Sequence, residues 1–306
     1  MTLALRAWLD AGRPKTLPLA LIAILTGSTL ALSQGRFSWP VLLLSLLTAS
    51  LLQVLSNLAN DYGDGLRGVD NPQRLGPLRA LQSGALSACQ LRNSLCVVGA
   101  LAIASGLALI TLADLDSTSL WVFVALGLLA VVAAVTYTVG RKPYGYAGLG
   151  DLSVWLFFGW LGVGGSYYLH GAALTPLLLL PANASGLLAV AVLNINNMRD
   201  IDNDAQHGKR TLAVRLGLAR ARHYHALLLS VAWLLLLAYL PSQLPNPWFT
   251  LLFVPALWPL AVQLKAVFAA RTSAAMAPLF PAMVACSAAV HALFAVPLLL
   301  SALLGE

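Results

Sequence analysis

Two segments, far apart along the sequence, place asparagines directly before spaced aspartates. The first aspartate segment runs from residue 57 to residue 70, and the second runs from residue 194 to residue 211. Aspartates three or four residues apart lie on one face of a helix, and their carboxylates repel one another unless a cation binds between them. The acidic and amide side chains concerned are Asn57, Asn60, Asp61, Asp64 and Asp70, then Asn194, Asn196, Asn197, Asp200, Asp202, Asn203 and Asp204.

The donor atoms of these segments predict a hard cation. Carboxylate and amide oxygens select Mg²⁺ or Ca²⁺. Mg²⁺ usually takes one or two carboxylates together with phosphate oxygens and waters, so the two segments, if brought together, could hold a diphosphate through Mg²⁺. Basic side chains between the aspartates would contact the phosphates directly; these are Arg67, Arg74, Arg79, Lys209 and Arg210.

An aspartate near a helix end is often a cap or a solvated loop residue, so no single carboxylate here indicates a site. The chain has 11 acidic residues, however, and six of them are aspartates of these two segments. This concentration favours a functional interpretation of the pair.

A third segment, from Tyr137 to Asp151, places Tyr137 one helical turn before the adjacent cations Arg141 and Lys142. One interpretation is a clamp for a diphosphate. The other is a cationic loop with tyrosines at a membrane interface, which would explain the composition without any site. The residues alone leave both interpretations open.

The elements that must position these groups are membrane helices. Of the 306 residues, 59% are hydrophobic and only 9% are charged, whereas a soluble domain is about 25% charged, so a water-soluble enzyme is excluded. The three cysteines have no zinc-type spacing. We predict one all-α domain of nine transmembrane helices spanning residues 1–306; the helices lie near 16–33, 39–57, 93–112, 119–138, 152–169, 176–195, 224–240, 248–268 and 279–303.

The basic residues predict the orientation. With the N-terminus in the cytoplasm, the inner segments hold 17 of the 18 Lys and Arg residues, and the exception is Arg36. The positive-inside rule then places the C-terminus outside and both aspartate segments at the cytoplasmic face. The net charge of +7 is explained by these loops and by phosphate contacts, so a nucleic-acid partner is not expected.

At this point the residues resemble a known family. The pattern Asn60-Asp61-Tyr62-Gly63-Asp64, with Asp200 and Asp204 followed by Gly208, resembles the UbiA superfamily of membrane prenyltransferases. The stretches Tyr-Thr-Val-Gly at 137–140 and Leu-Asn-Ile-Asn-Asn-Met-Arg-Asp at 193–200 are similar to the branch that prenylates 1,4-dihydroxy-2-naphthoate in menaquinone synthesis. The likeness runs from about residue 13 to residue 222.

The resemblance implies a nine-helix bundle in the bacterial cytoplasmic (inner) membrane, with a Mg²⁺-bound polyprenyl diphosphate at the cytoplasmic end and a lipid-open tunnel for the prenyl tail. Other branches of the superfamily commonly have a further metal-binding Asp at the position of Gly68. In this chain either Asp61 or Asp70 would take the role of that Asp. By the resemblance, the metal ligands are Asp61, Asp64, Asp70, Asp200 and Asp204; the catalytic residues are Asp64, Asp200, Asp204 and Tyr137; and the diphosphate-binding residues are Asn57, Asn60, Arg67, Arg141, Lys142, Asn197 and Lys209.

Three alternatives remain at this stage. A related prenyltransferase could use another aromatic acceptor, such as 4-hydroxybenzoate. The residues from Asp61 to Gly65 begin like the motif of CDP-alcohol phosphotransferases, but the rest of that motif is absent from the sequence. A secondary transporter would also carry intramembrane polar residues, although there they are expected near the midplane. The isoprenoid chain length and the oligomeric state are not predicted.

Overall fold

The computed structural model describes residues 3–71, 75, 76 and 78–304, and its regular elements are all helical. The α-helices are α1 (Leu3–Gly12), α2 (Leu17–Ser33), α3 (Trp39–Leu66), α4 (Ala88–Leu112), α5 (Ser117–Thr136), α6 (Gly150–Val154), α7 (Ser166–Leu169), α8 (Leu179–Arg199), α9 (Ile201–Gln206), α10 (Leu212–Tyr239), α11 (Leu257–Ala269) and α12 (Leu279–Leu304). A π-helix (Trp155–Gly165) joins α6 to α7, and a 3₁₀-helix (Pro247–Ala256) leads into α11.

Nine helical stretches within the described residues are long and apolar enough to cross a membrane, as predicted. A bilayer core about 30 Å thick requires about 20 residues of helix, and each stretch has 20–31 residues. They are Leu5–Ser33, Trp39–Leu66, Ala88–Leu112, Ser117–Thr136, Gly150–Leu169, Pro176–Arg199, Leu212–Ser242, Pro247–Ala269 and Ala274–Leu304. The chain is therefore a multi-pass membrane protein.

Helix α3 is longer than the sequence predicts, and its extension carries the first aspartates. The apolar pattern predicts an end near residue 57, but the helix continues to Leu66. It continues because its polar side chains find partners inside the bundle: Asn57 donates to the carbonyl of Gly12 at 2.9 Å, and Asp61 pairs with Arg13. Asp61 and Asp64 therefore lie on helix α3 rather than in a loop.

Helix α10 also starts earlier than predicted, at Leu212 instead of near residue 224. Thr211 caps its start by accepting a hydrogen bond from the backbone N–H of Val214 at 3.3 Å. The chain then bends at Gly217, whose φ of 75° is in the left-handed region that glycine adopts without steric cost. The bend separates the short first part of α10 from the long apolar part that the sequence pattern predicts.

Helix α8 is the central helix of the bundle. It packs against α10, α12 and the π-helix, and its side chains Leu188, Ile195 and Met198 are fully buried. Helix α8 and the π-helix approach closely at Gly159, where a Cβ would lie 2.4 Å from the carbonyl oxygen of Ala182. Small residues at such contacts let two helix backbones approach closely.

Adding one methyl group at Gly159 should therefore destabilise the bundle. Overpacking a closely packed site costs about 1–3 kcal/mol, so Gly159→Ala should lower the midpoint of thermal unfolding in detergent. Gly164→Ala is the matched control, because a Cβ at Gly164, in the same π-helix, would meet no atom within 4 Å. Equal midpoints for the two variants would contradict the close contact between the π-helix and α8.

Candidate functional site

The two aspartate segments meet at one end of the bundle, where α3 and α8 both end. Asn203 donates from Nδ2 to the carbonyl of Val69 at 2.9 Å, and Asn71 donates to Oδ1 of Asn203 at 2.9 Å. His207 contacts the carbonyl of Asn203 at 2.8 Å and Asn71 at 3.3 Å through its two ring nitrogens. The amides and the histidine thus join residues that are more than 130 positions apart.

Lys209 lies between carboxylates of both segments. Its Nζ is 3.2 Å from Oδ2 of Asp64 and 3.8 Å from Oδ1 of Asp204, and its side chain is only 12% exposed. Burial by itself would lower the pKa of Lys209, but the two carboxylates raise the pKa above its ordinary value, so the ammonium stays protonated. The predicted convergence of Asp64 and Asp204 is therefore present, with a lysine between them.

Asp61 and Asp70 share a second cation. Nε of Arg79 is 3.6 Å from Oδ1 of Asp61 and 3.9 Å from Oδ1 of Asp70, and Asp61 also pairs with Arg13. Asp61 and Asp70 are the two candidates for the further metal-binding carboxylate of the first segment, and both therefore lie beside the guanidinium of Arg79. The sequence analysis did not predict the contact of Arg13 with Asp61. The sequence feature that could have indicated it is the position of Arg13 directly before Pro14, where the first predicted span begins.

Asp200 follows the last residue of α8 and is buried. Arg199, its neighbour, donates to Oδ1 of Asp200 through Nε at 2.8 Å and to Oδ2 through a terminal nitrogen. The same guanidinium donates to Oδ1 of Asn196 at 2.7 Å. Asn197, the next residue along the chain, is buried. An arginine that holds both oxygens of a carboxylate fixes its orientation as well as its charge.

Tyr137 caps the end of α5 and lines the cavity described below. Its hydroxyl fits against Gly150, where a Cβ would lie 2.7 Å from the phenolic oxygen. Burial raises the pKa of Tyr137 above its ordinary value, so the phenol remains protonated. The next residue, Thr138, donates to the carbonyl of Ala59 at 2.9 Å and to Oδ1 of Asn60 at 3.2 Å, which ties the end of α5 to the first aspartate segment.

Several other predicted cations are exposed in the described part of the chain. Arg141 and Lys142 are exposed and form no ion pair with the aspartates in the part of the chain that the structure describes. Arg67 and Arg210 are also exposed. Arg74 lies outside the described residues.

A cavity of about 390 Å³ begins beside the aspartate segments and extends between α2, α3, α4, α5, the π-helix and α8. Over most of its length the walls are aliphatic and aromatic side chains. The polar residues at the aspartate end are Arg13, Thr16, Gln53, Asn57, Asn60, Tyr137 and Asn196, and residues at the opposite end are Leu109, Ile110, Phe123 and Leu169. The cavity can therefore accept a long apolar chain whose polar end remains at the aspartates.

The donor set fits Mg²⁺ bound together with a diphosphate. Within the described residues, no group of three or more His, Cys, Asp or Glu side chains could hold a metal by itself. Mg²⁺ is usually bound by one or two carboxylates plus phosphate oxygens, and Asp64 and Asp204 already converge on a single cation, Lys209. The carboxylates that could hold the metal are Asp61, Asp64, Asp70, Asp200 and Asp204.

Lys209→Met should destabilise the protein because it leaves Asp64 and Asp204 facing each other without the ammonium. Breaking a buried ion pair on one side costs on the order of 3 kcal/mol, so the thermal unfolding midpoint should fall in Mg²⁺-free buffer. Lys142→Met is the matched control, since Lys142 is exposed. If Lys209→Met unfolds at the same temperature as the control, Lys209 does not hold the two segments together.

Comparisons with known proteins agree with this geometry. The chain is 48% identical over 297 residues to 1,4-dihydroxy-2-naphthoate octaprenyltransferase of Escherichia coli (strain K12), with 97% of this chain and 96% of the relative covered. It is 50% identical over 299 residues to the Haemophilus influenzae protein of the same name, with the same coverage.

Solved structures share the fold at low sequence identity. A UbiA homolog from Archaeoglobus fulgidus bound to DMAPP and Mg²⁺ superimposes with a TM-score of 0.66 at 18% identity, covering 96% of this chain and 98% of the other. The sequence profile of the UbiA prenyltransferase family matches residues 20–287. On the helical architecture, the paired aspartate segments and this match, the chain belongs to the UbiA prenyltransferase family.

Proposed function

We propose that this protein transfers a polyprenyl group from polyprenyl diphosphate to 1,4-dihydroxy-2-naphthoate, with release of CO₂ and diphosphate, to give demethylmenaquinol. The observation that carries the proposal is the continuity of the site: an apolar cavity opens directly beside two converging aspartate segments and their cations. The relatives of 48% and 50% identity are named as octaprenyltransferases of 1,4-dihydroxy-2-naphthoate, and these names support the choice of acceptor.

The aspartates would hold Mg²⁺, with Asp64, Asp200 and Asp204 as the main ligands. When bound, Mg²⁺ would stabilise the charge that develops on the departing diphosphate. Lys209 and Arg79 would contribute fixed positive charge near the same oxygens, and such preorganised charge acts where charge develops in the transition state. Asn57 and Asn60 line the cavity mouth and would bind the diphosphate where the prenyl chain joins it.

The carbon chemistry requires no nucleophilic side chain. The C–O bond of the allylic diphosphate breaks, and the electron-rich naphthalenediol ring forms the new C–C bond. The electron pair of the ring–carboxylate bond then returns to the ring as CO₂ leaves. Since water would capture an allylic cation, the apolar walls of the cavity serve the reaction by excluding water, and the protonated Tyr137 can donate a hydrogen bond at the cavity mouth.

The assay that tests this function uses purified protein, Mg²⁺, octaprenyl diphosphate and dihydroxynaphthoate, with product detected by mass spectrometry. Prenylated naphthalenediol is expected. Asp64→Ala and Asp200→Ala should each lose about 100-fold or more in kcat. The matched control is Asp202→Ala, because Asp202 lies in the second segment but is exposed and bonded to Ser273 at 2.7 Å.

Two results would contradict the proposal at different levels. Product formation from 4-hydroxybenzoate but not from dihydroxynaphthoate would overturn the acceptor and keep the reaction class. Full activity in Asp64→Ala or Asp200→Ala would overturn the assignment of the metal-binding carboxylates.

We further propose that the N-terminus and the aspartate end of the bundle face the cytoplasm of a bacterium, with the C-terminus outside. The distribution of Lys and Arg supports this orientation. Alkaline phosphatase fused after residue 306 should be active, whereas green fluorescent protein fused at the same point and exported through the Sec pathway should be dark. The reverse pattern would invert the orientation.

A further inference from the structure

Tyr146 contacts both aspartate segments although it belongs to neither. It lies on the 3₁₀-helix Tyr144–Ala147, between α5 and α6. Its hydroxyl donates to Oδ1 of Asp64 at 2.7 Å, and Lys209 donates to Oδ2 of the same carboxylate at 3.2 Å. The two oxygens of Asp64 are thus held by two different donors, which restricts rotation of the carboxylate.

The ring of Tyr146 lies close to two cations. Nζ of Lys209 is 5.4 Å from the ring centroid, and Cζ of Arg67 is 5.1 Å from it. Both distances are within the range of about 6 Å at which a cation is attracted to an aromatic face. In addition, the backbone N–H of Arg210 donates to the carbonyl of Tyr146 at 3.0 Å, so the main chain of the second segment is attached as well.

We propose that Tyr146 is a positioning residue for prenyl transfer: its hydroxyl orients Asp64 toward the metal, and its ring holds Lys209 and Arg67 toward the diphosphate. This inference rests on the proposed function. The hydroxyl would act on metal binding and the ring on diphosphate binding, so two substitutions of Tyr146 can separate the two effects.

Tyr146→Phe removes the hydroxyl and keeps the ring. It should raise the Mg²⁺ concentration for half-maximal activity about 10-fold, as removal of a group that orients a metal ligand does, with little change in the KM for polyprenyl diphosphate. Tyr146→Leu removes both features and should also raise that KM several-fold. Tyr168→Phe is the control, because the hydroxyl of Tyr168 contacts Ser119 at 2.6 Å, at the start of α5 and outside the two aspartate segments.

A binding measurement tests the inference without turnover. Mg²⁺ with inorganic diphosphate should raise the thermal unfolding midpoint of the wild type and of Tyr168→Phe, and the Mg²⁺ concentration needed for half of that rise should be higher in Tyr146→Phe. Identical Mg²⁺ dependence in Tyr146→Phe and the wild type would overturn the inference.

A purely structural role has a different signature. It would lower the midpoint of Tyr146→Phe without ligands and reduce kcat equally at every Mg²⁺ concentration, and this result also overturns the inference. A wild type that makes no prenylated product would overturn the proposed function instead, and the thermal measurement would still decide the role of Tyr146.

Discussion

The site depends on neutralising buried carboxylates at one end of an apolar bundle. A buried carboxylate without a partner costs several kcal/mol, and five aspartates gather here within a few helical turns. In the described residues, four cations face them. Arg13 lies beside Asp61, Arg79 lies beside both Asp61 and Asp70, Arg199 pairs with Asp200, and Lys209 lies between Asp64 and Asp204. These pairs join α3, the residues after α8 and the residues after α1, so the assembly of that end of the bundle follows from charge pairing.

The same constraint explains where the helices end. An apolar pattern predicts helix only as far as the hydrophobic run, which places the end of α3 near residue 57. Because Asn57, Asp61 and Asp64 find partners within the protein, the helix retains its backbone hydrogen bonds for two further turns. A sequence argument can identify the apolar stretch, but it cannot predict which polar side chains will be satisfied beyond it.

Sequence patterns were sufficient for the nine spans and for the meeting of the two aspartate segments. The length of each apolar run and the Asn-Asp patterns can be recognised within short stretches of sequence. They could not predict Arg13 or Tyr146, because the contacts of these residues arise from the docking of α1 and of a 3₁₀-helix against α3. Adjacency to Tyr137 also did not bring Arg141 and Lys142 into contact with the aspartates, because both side chains are exposed.

Under the proposed function, the pairing of these five aspartates with cations has a consequence for how the ligands bind. A Mg²⁺ ion alone would have to displace Lys209 from Asp64 and Asp204 and leave a buried ammonium without a partner. A diphosphate that binds with the metal supplies that partner, since its oxygens accept hydrogen bonds from the released lysine and from Arg79. The charges of the metal and the diphosphate then compensate each other at the mouth of a cavity whose other walls are apolar.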